Sequence, residues 1–259
     1  MKKRYAFTPD DHFEADLDDL HRLLDENRQY LANYEEVFSS LDDDDYVARG
    51  NGFCDRKYSD DFIEGQMDKY ASRVAMLECW IAEWPLETLK DGNARFVAGK
   101  SARPTDYAAD RERLSQGQRP FAVVLCCSDS RVAPEILFDQ GLGDLFVIRN
   151  AGNVIDEDVL GSVEYAVEHL GTKLVVVMGH SSCGAVTATY HGGVLPGHIK
   201  TIAERIRLSL STDFHIDDNA RRHAQRMARL IAADTIVKHE KAQVVAAFYD
   251  IKSGVVEWM

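Results

Sequence analysis

Four short apolar runs constrain this chain most: Phe121-Ala122-Val123-Val124-Leu125, Leu145-Phe146-Val147-Ile148, Leu174-Val175-Val176-Val177-Met178 and Val244-Val245-Ala246-Ala247-Phe248. A strand with one wet face alternates apolar and polar positions; a run that is apolar throughout needs cover on both faces. Helical stretches separate the runs, at about 133–140, 157–170, 183–190, 197–211 and 218–238. Strands alternating with helices predict βαβ units, and so an α/β fold with a mostly parallel β-sheet flanked by helices. With 259 residues, 45% of them hydrophobic, the chain is long enough for one such domain and an added helical segment.

The N-terminal part is different. The first 60 residues hold sixteen Asp and Glu against eight Lys and Arg, most of the excess behind the net charge of −13. Phe13, Leu17, Leu20, Leu24, Leu31 and Tyr34 form an a/d-like stripe, with Asn27 in its gap, which predicts an amphipathic helix. The Asp42-Asp43-Asp44-Asp45 run and Gly50-Asn51-Gly52 end it. A second helix is expected from about Asp60 to Trp84, with Phe62, Met67, Tyr70, Val74, Leu77 and Ile81 on one face and Pro85 as its stop. A third, short helix follows to about Val97, and 99–120 reads as loop. The expected partition is an acidic helical extension, 1–84, before an α/β domain, 85–259. The first helix packs either on its own domain or on a partner subunit.

The acidic balance argues against a nucleic-acid partner, because phosphate contacts need clustered Lys and Arg. No apolar run approaches the length of a membrane span, and the start of the chain lacks the apolar core of a secretory signal. A cytoplasmic location is the resulting expectation. Cys54, Cys79, Cys126, Cys127 and Cys183 are an odd number, which does not read as a disulfide framework.

The chemistry is expected where two of the strands end. Ligands in open α/β sheets bind past the carboxyl ends of strands. Cys126-Cys127-Ser128-Asp129-Ser130-Arg131 follows the first apolar run, and Gly179-His180-Ser181-Ser182-Cys183-Gly184 follows the third. If those strands are neighbours, Cys127, His180 and Cys183 converge. Two thiolates and an imidazole suit zinc and leave a fourth position open for water. Asp129 and Arg131 can pair across a turn, which keeps the carboxylate ionised and oriented. A neutral core made of zinc, two thiolates and one imidazole suits attack on a small, neutral, electrophilic carbon. Cys126, Cys54 and Cys79 read as packing residues.

Cys127-Ser128-Asp129-Ser130-Arg131-Val132, Arg149-Asn150-Ala151-Gly152-Asn153 and Gly179-His180-Ser181-Ser182-Cys183-Gly184 together resemble the β-class carbonic anhydrases. The resemblance covers about 85–259, from Gly92-Asn93-Ala94-Arg95-Phe96 to Tyr249-Asp250-Ile251-Lys252-Ser253-Gly254. It implies reversible hydration of CO2 to bicarbonate and a proton by attack of zinc-bound hydroxide. One Zn2+ per subunit would be held by Cys127, His180 and Cys183, with Asp129 and Arg131 as the catalytic dyad. It further implies substrate contacts from Gln118, Phe146, Ala151 and Tyr165, in a pocket partly built across the interface of a homodimer or dimer-based higher oligomer. Phe146 in a core strand and Tyr165 on a buried helix face could equally be packing residues. Family members with an allosteric bicarbonate site carry Trp at the position of Val124, so no such site is expected here.

Two other readings stand beside this one. Relatives on the same fold hydrolyse carbonyl sulfide or carbon disulfide, and pocket width decides between substrates. A zinc-stabilised interaction module would instead use the acidic N-terminal helices to bind a protein partner. His169, His191 and His198 are available to carry the proton away, with bulk buffer as the default acceptor.

Overall fold

The computed structural model describes residues 3–6, 12–15, 17–39, 60–103 and 107–259. The chain divides into two compact units, Met1–Trp84 and Pro85–Met259. The Asp42–Asp45 run, Gly50-Asn51-Gly52 and Cys54 lie outside the described residues.

In the first unit, β1 (Lys3–Ala6) and β2 (His12–Ala15) form an antiparallel pair ahead of α1 (Leu17–Ser39). Phe13, expected on the helix, therefore lies in β2. Its spacing to Leu17 matched the stripe, but cross-strand pairing with Tyr5 claims it. On α1, Leu20 and Leu24 are buried. Asn27 is buried too, and its side-chain amide donates to the Leu23 carbonyl of its own helix at 2.7 Å. α1 meets α2 (Asp60–Val97) through stacked Tyr30 and Tyr70 rings 5.2 Å apart and an Arg28–Glu78 ion pair at 2.7 Å.

Pro85 does not stop α2, and the two helices expected on either side of it are one. Proline removes a single backbone donor. Past it, buried Leu89 packs in the core of the second unit, and Asn93 fixes the end of the helix. The Asn93 side chain donates to the Leu137 and Gly254 carbonyls and accepts from the Val256 amide. Part of the expected 99–120 loop is also helical: α3, Ala108–Leu114, a run of good helix formers with an Asp110–Arg113 pair.

The second unit is a five-stranded sheet in the order β4-β3-β5-β6-β7, made of β3 (Ala122–Cys127), β4 (Leu145–Asn150), β5 (Leu174–His180), β6 (Gln243–Tyr249) and β7 (Val256–Trp258). β3 to β6 are parallel, and β7 alone runs antiparallel at one edge. The four expected strands are present; β7 is too short to be read from sequence.

Central β3 and β5 are buried throughout, as continuous apolar runs require, and edge strand β4 is mostly half-buried. Alternate residues feed two cores. Val123, Leu125, Val175 and Val177 meet α5 (Glu157–Glu164, continued by a wider π-type turn, Tyr165–His169) and α8 (Ile216–Ala233). Ala122, Val124, Cys126, Val176 and Met178 meet Leu89 of α2, with Leu137 of α4 (Pro134–Leu137) and Phe138. Near the site lie α6 (Gly184–His191) and α7 (Ile199–Arg207); α9 (Thr235–His239) follows α8. A Cβ at Gly179 would stand 2.9 Å from the Ala220 carbonyl, so glycine lets α8 close on β5 just before His180.

Asp139 anchors the segment after α4. Its side chain accepts from Arg95 Nε at 2.6 Å, from the Ala102 and Arg103 amides and from the Ser101 hydroxyl. Burial alone would raise its pKa; these donors outweigh burial and hold it at about 2.

Candidate metal centre

The chain leaves β3 for β4 on one side of the sheet and returns to β5 on the other. β3 and β5 therefore flank the topological switch point, where α/β sheets open a crevice. Cys127 ends β3 and His180 ends β5, while Cys183 caps α6 three residues later. One ligand atom from each of the three lies within 4.8 Å of the others, and all three residues are buried. An apolar shell including Val154, Val186, Ile206, Ala220 and Phe248 surrounds the sulfurs.

This donor set fits zinc. His180 Nδ1 faces the Ser181 carbonyl at 2.9 Å; a carbonyl only accepts, so Nδ1 carries the proton. Nε2 is buried and makes no hydrogen bond, which leaves its lone pair to a metal. The two thiols share a hydrogen bond. Cys127 is lowered, foremost by the hydrogen bond from the Cys183 thiol; Cys183 is raised by the same bond and by burial. The Gly152 amide also donates to Cys127 Sγ, at 3.3 Å. Three such protein ligands give a tetrahedral metal one further position.

Asp129 and Arg131 meet as expected. Arg131 Nε reaches Asp129 Oδ1 at 2.9 Å and Nη2 reaches Oδ2 at 2.8 Å, while the Arg131 amide adds a third bond at 3.0 Å. This guanidinium holds the carboxyl well below the usual carboxylate range. Asp129 is thus ionised and tied down, and it is outside the three-residue ligand cluster.

The expected substrate-contacting residues separate into two groups. Ala151 follows β4 directly and adjoins Gly152, at the ligand end of the sheet. Phe146 pairs with Val123, four residues back along β3 from Cys127, or roughly 13 Å of strand. Tyr165 packs on Phe146, with ring centroids 6.3 Å apart, and Gln118 is exposed on the loop that leads into β3. Tyr165 is 46% exposed, which corrects its expected burial on a helix face. The π-type turn begins at this residue, and neighbouring β4 is a sheet edge. His169, His191 and His198 are exposed, and His169 packs on Tyr165.

Two residues that order these loops were given no role from sequence: Arg149, quoted only as part of a motif, and Asp217. Arg149 donates to the Cys127 carbonyl at 3.1 Å and the Asp129 carbonyl at 2.7 Å. Asp217 accepts from the amide of Ser182, which has a left-handed φ of 54°, at 2.8 Å. Ser182 and Asp217 line a cleft of ≈ 440 Å³ with Thr187, Tyr190, His215 and Ile216. Arg149 carried a signal, as a charge ending an apolar strand; Asp217 carried none.

The family model described as carbonic anhydrase matches residues 122–256. The chain belongs to this family of enzymes, and to its β class. It is 56% identical over 134 residues to a carbonic anhydrase of Mycolicibacterium smegmatis, across 50% of this chain and 64% of that one. It is 42% identical over 188 residues to carbonic anhydrase 2 of Mycobacterium tuberculosis, across 67% of this chain and 90% of that one. Among solved structures, the β-carbonic anhydrase CafA of Aspergillus fumigatus is 25% identical with a TM-score of 0.53, covering 74% of this chain and 91% of its own. Among the described residues, no helix is long and apolar enough to cross a membrane.

Proposed function

We propose that this chain catalyses the zinc-dependent, reversible hydration of CO2 to bicarbonate and a proton. The observation that carries the reading is the buried Cys127–His180–Cys183 cluster at the switch point, with the clamped Asp129 carboxylate two residues beyond Cys127. The three residues would hold one zinc ion. Bound there, zinc supplies a Lewis acid that lowers the pKa of water and so makes a nucleophile for a small electrophilic carbon. Asp129 accepts the hydrogen bond of the attacking group and fixes its orientation. Arg131 keeps Asp129 ionised and away from the metal. The apolar shell excludes bulk water and strengthens these interactions.

Ala151 serves the pocket of its own chain. Gln118, Phe146 and Tyr165 stand toward the opposite ends of β3 and β4, which supports a pocket completed by a second copy. A homodimer is the smallest assembly with complete sites. Residues 85–259 carry the activity in this reading.

Stopped-flow CO2 hydration on full-length protein of measured zinc content is the test. Turnover should track zinc and rise from neutral to mildly alkaline pH. A fully zinc-loaded protein that is inactive on CO2 but turns over carbonyl sulfide would overturn the choice of substrate.

A further inference from the structure

His223 lies in the middle of α8, 43 residues after His180 and outside every motif read from the sequence. It is fully buried, and both ring nitrogens are engaged. Nε2 lies 2.9 Å from the Gly152 carbonyl oxygen, and Nδ1 lies 2.9 Å from the Ser209 hydroxyl. A carbonyl only accepts, so Nε2 carries the proton; in the neutral ring Nδ1 then accepts from Ser209. Burial lowers the His223 pKa to about 4, in keeping with this neutral form.

Gly152 is the other end of the relay. Its own amide donates to Cys127 Sγ at 3.3 Å. Its φ of 73° is left-handed, and a Cβ there would stand 2.7 Å from Ile206 Cδ1 and 3.0 Å from Ala185 Cβ. Asn150 brackets the same turn through paired bonds with Val154, 2.8 and 2.9 Å long. The turn is thus fixed from outside, and His223 holds the residue that touches the sulfur.

We propose that His223 is a positioning residue for the metal-ligating sulfur of Cys127, acting through Gly152. The inference rests on the reading of Cys127 as a zinc ligand. His223 touches neither the ligand atoms nor the substrate. With its carbonyl held by Nε2–H, Gly152 keeps its amide aimed at Sγ. An N–H···S bond draws electron density from the thiolate and moderates its donation to the metal. Ser209 fixes the tautomer that makes this possible.

The test uses full-length protein loaded with Co(II), whose thiolate-to-metal charge-transfer absorption reports sulfur donation directly. In His223→Leu, the sulfur loses its amide donor and the band moves to longer wavelength. Affinity for Co(II) falls about tenfold, in the range typical of lost outer partners of metal ligands. His223→Gln, with an amide able to donate to the Gly152 carbonyl, restores most of the band position. A side chain that only fills space would lower the melting temperature and leave the band in place; that result, in folded His223→Leu, overturns the proposal. If His223→Leu does not fold, Ser209→Ala carries the test: a smaller shift in the same direction supports it, and an unmoved band overturns it. Wild-type protein without a thiolate band would instead overturn the ligand assignment itself.

Discussion

The two loops that bring the ligands together are ordered by different neighbours. The loop after β3, which carries Cys127 and Asp129, is tied to β4. The Ser128 amide donates to the Asn150 carbonyl at 2.9 Å, and Arg149 clasps two carbonyls of the loop. The loop after β5, which carries His180 and Cys183, is tied to the other side. The Ser181 amide donates to the Tyr249 carbonyl, the Ser181 hydroxyl accepts from the Ile251 amide, and Asp217 of α8 takes the Ser182 amide. Arg131 Nη2 joins the two loops at the Ser182 carbonyl, 3.4 Å away. Each loop is thus also anchored outward, away from the crevice that gathers Cys127, His180 and Cys183.

The largest effect comes from removing what the loops share. Cys127→Ser or His180→Ala should abolish zinc retention after dialysis and, with it, turnover; metal analysis and stopped-flow assays on the same samples check both. Asp129→Ala belongs to the first loop alone. It should keep its zinc and lose turnover by roughly 10²–10⁴-fold, the range for a positioned proton-handling group. Full activity in that variant would remove Asp129 from the mechanism.

Asp217→Ala loosens the second loop only. A fall of about tenfold in zinc affinity is expected, and Asp217→Asn, which keeps an acceptor for the Ser182 amide, should recover most of it. Competition with a chelator measures the difference. Equal losses in both variants would mean that charge, not the hydrogen bond, matters at this position.

The smallest effect tests the segment beyond the first loop. The Asp139 pKa is depressed in the folded chain, so its contribution is complete above the ordinary Asp pKa of 3.8 and is lost as pH falls through about 2. That contribution is about 2 kcal/mol. Asp139→Asn should reduce stability near neutral pH by that order and flatten the acid limb of the denaturant midpoint against pH. An unchanged acid limb would show that Asp139 does not set it.

Much of this architecture was legible because its signals are local. Apolar runs without alternation gave the four parallel strands, and the ligand and dyad residues sit within six residues of one another on each loop. What escaped depends on distant partners. Asp217 reaches a residue 35 positions away, and His223 one 71 positions away. Within α8, both read as ordinary members of an amphipathic helix. Pro85 misled for a related reason: the rule that proline ends a helix is local, whereas the packing of Leu89 and Asn93 is not. Gln118, Phe146 and Tyr165 were put forward through family resemblance alone, and no spacing in the chain links them to Cys127, His180 and Cys183.

Cys126 and Cys127 adjoin on β3, yet one sulfur belongs to the core beside Val124 and Met178 and the other to the ligand cluster. Strand alternation alone separates them, and a slip of one residue that carries Cys127 into the core leaves Ser128 in its place. Such a slip also turns Val123 and Leu125 toward the wrong core. With zinc held as proposed, metal capture would be coupled to the pairing of β3 with both neighbours. A nascent chain that mispairs in this sense would forfeit the stability that a bound ion adds.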